Sequence, residues 1–252
     1  MSDNTQRICF GMGAAPATGE LLRFADPVAG YAATGSFEGC AHTLTLAVYG
    51  YGAAPEAFVS WSAGLPVTPL YLKGRGVELW WTPTHAVLQC EPEDSATLTA
   101  AVAEFAWYEW TLRGLEAEVA AAWEALEQDK ALAFDVTARD LPGSAALGAR
   151  MGMAFQRRIR FARLEPHLFT PDSAAGPAAH KLGTELRERA GFEGRAEALD
   201  AHLEVAEHIY EMASQRMGEF RAAHGSNRVE WIIIWLLVAE VALSLLQVLL
   251  KR

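Results

Sequence analysis

The residues that could carry chemistry in this sequence do not form a recognisable catalytic or metal-binding pattern. The densest group lies in one predicted helix and comprises His202, Glu204, Glu207, His208 and Glu211. Imidazoles and carboxylates are common metal ligands, but this spacing matches neither H-E-x-x-H nor E-x-x-H. We therefore interpret the group as a solvated helix face.

Glycines, serines and cysteines give no stronger signal. Gly-x-Gly occurs three times, but no copy continues into a dinucleotide fingerprint and no P-loop is present. No serine has the Gly-x-Ser-x-Gly setting of a nucleophile elbow. The cysteines, which are Cys9, Cys40 and Cys90, lack metal-ligand spacing, and their odd number predicts a reducing compartment rather than a disulfide framework. The sequence therefore predicts no enzyme activity, no catalytic residue, no cofactor and no metal.

A basic island at residues 150–195 is the one place that favours an anionic partner. It carries nine basic against five acidic residues, in a chain whose formal net charge is -10. Its core is Arg157, Arg158, Arg160 and Arg163, which a helix spreads over more than one face. Three interpretations remain open: a solvated or internally paired face, contact with anionic lipid headgroups, and contact with RNA or the ribosome.

The elements that must position these residues predict an α+β fold. The chain has 252 residues, of which 51% are apolar and 21% charged, and this excludes global disorder. Residues 1–92 read as a mixed α/β domain. Strands are predicted at 43–49, 77–81 and 86–90, and short helices at 18–24 and 55–61.

Helical periodicity takes over at residues 93–228. One apolar stripe runs from Leu98 to Leu126, and a second from Leu199 to Phe220, with steps of three and four residues. A middle helix is predicted over about 145–164. These stripes predict a helical hairpin or bundle with coiled-coil character. At 224–227 the pattern is interrupted, so either a new helix begins there or one helix continues.

The C-terminal part, residues 229–252, predicts a membrane-anchor helix. Trp231 to Leu250 is a run of twenty residues with one formal charge, and a helix of that length rises about 30 Å. Cationic residues precede the run, and the N-terminus has no apolar export segment. We therefore predict a tail anchor in a bacterial inner membrane, with the bulk of the chain cytoplasmic. A buried helix or an oligomer seam is the alternative.

Polar residues within this run predict self-association. Glu240, Ser244 and Gln247 are spaced i, i+4, i+7 and share one helix face. A shared polar face in an apolar helix is typical of helix–helix pairing. Arg228, Glu230 and Trp231 are predicted to set the membrane boundary.

The C-terminal pattern resembles the "required for meiotic nuclear division" family. The resemblance rests on Phe192 to His208, and on Arg228, Val229, Glu230, Trp231 and Ile232–Ile234, followed by Glu240 in the last apolar helix. The run at 46–52 resembles the N-terminal strand and glycine turn of that family. The resemblance implies a membrane-associated homo-oligomer of undefined biochemical activity, which in eukaryotes is linked to mitochondrial translation and meiotic division. Since no transit peptide is evident, the chain resembles a bacterial member.

Together these features predict a membrane-anchored, homo-oligomeric scaffold or adaptor. The predicted partners are a second copy of the chain and the lipid bilayer. The alternatives are a ribosome- or RNA-associated factor that uses residues 150–195, and an enzyme with an unrecognised site in the α/β part.

Overall fold

One seven-stranded sheet contains the described strands. The structure, a computed structural model, describes residues 5–8, 17–23, 30–36, 43–50, 69–74, 76–91, 93–171 and 176–250. The strand order is β1-β2-β3-β4-β7-β6-β5, and all neighbours are antiparallel except β4 and β7, which are parallel. The strands are β1 (Thr5–Ile8), β2 (Ala17–Arg23), β3 (Gly30–Ser36), β4 (Thr43–Gly50), β5 (Leu70–Gly74), β6 (Val77–Trp81) and β7 (His85–Cys90).

Four α-helices follow the sheet in the described chain. They are α1 (Ser95–Asp129), α2 (Ser144–Phe169), α3 (Pro177–Arg189) and α4 (Phe192–Leu250). Short 3-10 turns at Lys130–Ala133 and Leu141–Gly143 connect α1 to α2. Gly191 separates α3 from α4 with a φ of 66°, a left-handed conformation that glycine adopts without a Cβ clash.

The strand predictions are confirmed at β4, β6 and β7, but the helix predicted at 18–24 is wrong. Residues 18–23 belong to β2, which pairs with β1 on one side and β3 on the other, for example Glu20 with Thr34. Two hydrogen-bonded neighbours outweigh a weak local preference. The helix predicted at 55–61 lies outside the described residues.

Both predicted apolar stripes coincide with buried helix faces. In α1 the buried residues include Leu98, Phe105 and Leu112, and in α4 they include Leu203 and Tyr210. The middle helix extends beyond its predicted end at 164, since α2 continues through Pro166 to Phe169. The helix continues past the proline, and Leu168 in its last turn is fully buried.

Of the two alternatives at 224–227, the structure shows the continuous helix. The chain remains helical from Phe192 to Leu250 without a break.

The chain divides into two compact units, and each has its own core. The first consists of residues 1–118 and 160–200, and its core includes an aromatic chain in which Trp81, Phe105 and Phe192 contact one another in turn. The second consists of residues 119–159 and 201–252. Its core contains Leu126, Leu147, Ala154, Tyr210, Ala213 and Met217.

The predicted fold class needs correction in two respects. The described residues are mostly helical, and the described elements before residue 92 are all strands, rather than a mixture of helix and strand. The paired ladder of β1 to β4 replaces the predicted local helix.

The second correction concerns the membrane. In the part of the chain that the structure describes, no helix is both long and apolar enough to span a bilayer. This finding contradicts the predicted transmembrane helix, tail anchor and inner-membrane location.

Candidate functional site

The most unusual surface in the described chain is the end of α4. We call it the apolar segment and define it as residues 231–243. Its ten large apolar side chains are each between 49% and 67% exposed: Trp231, Ile232, Ile233, Ile234, Trp235, Leu236, Leu237, Val238, Val241 and Leu243. They point in all directions around the helix axis, because consecutive helical residues are 100° apart. A helix that is apolar all round is normally buried.

The extent of this surface separates it from scattered surface apolar residues. If a large side chain offers about 200 Å² and half of it is exposed, ten side chains give on the order of 1,000 Å². The largest apolar patch of an ordinary monomer is about 300–600 Å². A stable interface needs about 800 Å² from each partner. The apolar segment is therefore large enough to form an interface.

The predicted boundary and oligomer residues lie in or beside this segment. Trp231 is 62% exposed and Glu240 is also exposed. Because α4 is one helix, Glu240, Ser244 and Gln247 occupy one face of it. The backbone positions of Arg228 and Glu230 precede the segment in the same helix. The side chains of Arg228, Glu230, Ser244 and Gln247 lie outside the described residues.

The structure pairs two of the four arginines at the core of the basic island with carboxylates of the same chain. Arg160 forms a two-pronged ion pair with Glu118, in which Nη1 lies 3.0 Å from Oε1. Arg158 lies 3.7 Å from Glu207. Arg163 is exposed. The four arginines are therefore not gathered into one anion-binding surface.

Arg157, the remaining arginine of the island's core, lines a small apolar cleft in the second unit. The cleft encloses about 20 Å³, and Trp123, Leu126, Ala154 and Tyr210 are among its other lining residues. A cavity needs roughly 10–15 Å³ to hold one water molecule. This cleft therefore has room for a water molecule but not for a cofactor.

A buried polar cluster lies close to the cleft. Asp129 accepts hydrogen bonds from Nε and Nη2 of Arg150 at 2.5 and 2.8 Å. Burial raises the pKa of Tyr210, and the negative charge of Asp129 raises it further. The Asp129 carboxylate is thus satisfied by a guanidinium on the neighbouring helix, which indicates a structural role.

Two further arginines of the basic island form ion pairs with carboxylates of α1, and neither pairing was predicted from the sequence. Arg187 of α3 donates to Glu104 at 2.7 Å, and its side chain is only 4% exposed. Arg195 of α4 donates to Glu109 at 2.5 Å and to Glu116 at 2.8 and 2.9 Å. The signal available in the sequence is Glu109 itself, a carboxylate inside the aromatic run from Phe105 to Trp110. A charge within an apolar stripe predicts a buried partner.

The histidine and glutamate group of α4 is dispersed among structural contacts. The ring of His202 meets Trp123 edge-on at 5.0 Å, and Glu207 is the partner of Arg158. Among the described residues, no cluster of three or more His, Cys, Asp or Glu could hold a metal ion.

Cys90 is buried in β7, and we expect it to react slowly. Burial raises the pKa of its thiol to about 11, and the negative charges of Asp94 and Glu91 add to the shift. At pH 8 roughly one thiol in a thousand is then a thiolate, the reactive form. We expect iodoacetamide to leave Cys90 unlabelled in the native chain and to label it in guanidinium, as read by peptide mass spectrometry. The rate should rise with pH, and native labelling as fast as in guanidinium would contradict this prediction.

Comparison with known families, curated proteins and solved structures finds no match to this chain. The resemblance to the "required for meiotic nuclear division" family therefore stays a prediction. The apolar segment of α4 is the feature that a functional proposal must explain.

Proposed function

We propose that the protein is a helical scaffold that associates with further copies of itself through the apolar segment of α4. The observation that carries this proposal is the exposure of ten large apolar side chains on one stretch of helix. In water this surface favours association, because burying it removes apolar area from solvent. Glu240 within the segment and the helix positions of Ser244 and Gln247 just beyond it share one face of α4, and this polar face supports a fixed orientation between partners.

The alternative role in binding RNA or the ribosome has weaker support. Arg158 and Arg160 already face carboxylates of the same chain, so an RNA phosphate would have to displace Glu207 and Glu118. A scaffold role requires no such displacement.

A double substitution in the apolar segment tests the proposal. Ile233→Lys with Leu237→Lys places two cations one helical turn apart on one face, where they would have to be desolvated at an interface. We expect the dissociation constant of the oligomer to rise roughly a hundredfold. Sedimentation velocity over a range of protein concentrations measures this change.

Val205→Lys is the matched control. Val205 is also an exposed apolar residue of α4, at 45%, but it lies outside the apolar segment. We expect this variant to associate as the wild type does. Either of two results would overturn the proposal: a wild type that stays monomeric, or equal effects of Val205→Lys and the double substitution. A monomer that instead floats with phosphatidylcholine vesicles would show that lipid, not a second copy, covers the segment.

A further inference from the structure

Strand β5 forms one edge of the sheet. It comes last in the strand order, so among the described strands it pairs with β6 alone. An edge strand presents backbone N–H and C=O groups on its outer side, and these groups can pair with a strand of another chain. Sheets in natural proteins therefore carry features that prevent such pairing.

The register with β6 shows which backbone groups of β5 point outward. Only two residues separate the strands, and Gly74 pairs with Val77 across this hairpin. The pair that flanks a two-residue loop is hydrogen-bonded, so the backbone groups of Gly74 point toward β6. In an antiparallel ladder this orientation alternates from one residue to the next. The backbone groups of Lys73 and Tyr71, one and three residues before Gly74, therefore point away from β6.

Arg189 of α3 lies against this outer side of β5. Its Nη1 donates to the backbone oxygen of Tyr71 at 3.1 Å, although the two residues are 118 positions apart in the sequence. Arg189 is the last residue of α3, where a cation commonly binds the carbonyl groups of its own helix. Glu185, one turn earlier, lies 4.0 Å from the same guanidinium. The guanidinium thus occupies an acceptor that an added strand would need.

Lys73 places a second cation at the same edge. Its side chain is 62% exposed, and its Nζ lies 3.2 Å from Oε1 of Glu78 on β6. Leu72 is buried, so β5 turns one apolar face to the core and one polar face to solvent. Lysine on an edge strand is a common means of preventing strand addition. Two copies that joined their β5 strands would bring like charges together, which is unfavourable.

We propose that Arg189, together with Lys73, closes the β5 edge of the sheet against a strand of a second copy. An added strand must displace Arg189 from the carbonyl group of Tyr71 and must then lie beside the cations of both chains. The contact therefore prevents copies from joining through the sheet. This inference does not rest on the proposed self-association, which uses α4.

Arg189→Ala tests this edge closure. The substitution removes a hydrogen bond that strand addition would have to break, so we expect the dissociation constant for edge pairing to fall roughly tenfold or more. Hydrogen exchange read by mass spectrometry should become slower in the β5 peptide as the protein concentration rises, because an added strand protects its amides. With Ile233→Lys and Leu237→Lys also present, sedimentation velocity should detect association that is absent when Arg189 is retained.

Two further variants complete the test. Arg163→Ala is the matched control, since it removes an exposed cation of the same unit from α2, and its β5 exchange should equal that of the wild type. Lys73→Pro, added to Arg189→Ala, should abolish the new association. Proline lacks the N–H that an added strand requires, and the N–H of Lys73 points away from β6, so the β5–β6 ladder is retained.

Edge closure and a simple tertiary anchor predict different results for Arg189→Ala. An anchor predicts a lower melting temperature with β5 exchange that does not depend on protein concentration, and this result would overturn the proposal. New association that persists after Lys73→Pro would also overturn it, because that association would not involve the edge. A wild type that stays monomeric contradicts the proposed function only, since the β5 exchange of Arg189→Ala still tests the edge.

Discussion

Arg187→Met is expected to lower the free energy of unfolding by about 3–5 kcal/mol. The Arg187 side chain is 4% exposed and pairs with Glu104, whose side chain is 14% exposed. It also donates to the backbone oxygens of His167 and Gly183, and its guanidinium lies over the Tyr108 ring. Methionine fills much of the space but provides no donor. The carboxylate and both carbonyl groups therefore lose a donor that water does not readily replace.

Chemical denaturation followed by circular dichroism measures this loss. Arg216→Met is the control, because Arg216 and Glu219 form an ion pair whose side chains are 58% and 52% exposed. Exposed pairs of this kind contribute about 0–1 kcal/mol. An Arg187→Met loss no greater than that of the control would contradict a structural role for the buried pair.

Phe105→Ala is expected to cost about 3–5 kcal/mol in the first unit. Phe105 is fully buried in α1, where its ring lies 4.8 Å from Trp81 of β6 and 5.3 Å from Phe192 of α4. It therefore links the sheet to two helices. Alanine removes both aromatic contacts and leaves a cavity that the surrounding helices and strands cannot fully close.

Phe134→Ala provides the matched comparison for thermal unfolding. Phe134 is 76% exposed, so its removal should change stability by less than about 0.5 kcal/mol. If Phe105→Ala were as mild as Phe134→Ala, the aromatic chain would not be the core of the first unit.

Elements with strong periodicity could be predicted from the sequence. The alternation at 43–49 is β4, and the steps of three and four in α1 and α4 give their buried faces, since period alone determines which residues share a face. The secondary structure of short segments without a hydrophobic period could not be predicted. The helix predicted at 18–24 became β2, because its pairing partners lie elsewhere in the chain.

The position of the candidate site could be predicted from the sequence, but the surroundings of its side chains could not. Hydropathy identified the apolar run that begins at Trp231. An apolar run of this kind is equally compatible with lipid, with a protein core and with an interface between copies of the chain. The ion pairs of Arg187 and Arg195 join residues that are far apart in the sequence, and local sequence patterns carry no information about such contacts.

The mass of the wild-type chain in solution tests self-association most directly. The chain mass is 27.4 kDa. Sedimentation equilibrium over a range of micromolar concentrations should give a multiple of this mass, and Ile233→Lys with Leu237→Lys should return it to that of one chain. A wild type with the mass of a single chain at every concentration would contradict the proposal that the apolar segment joins copies of this protein.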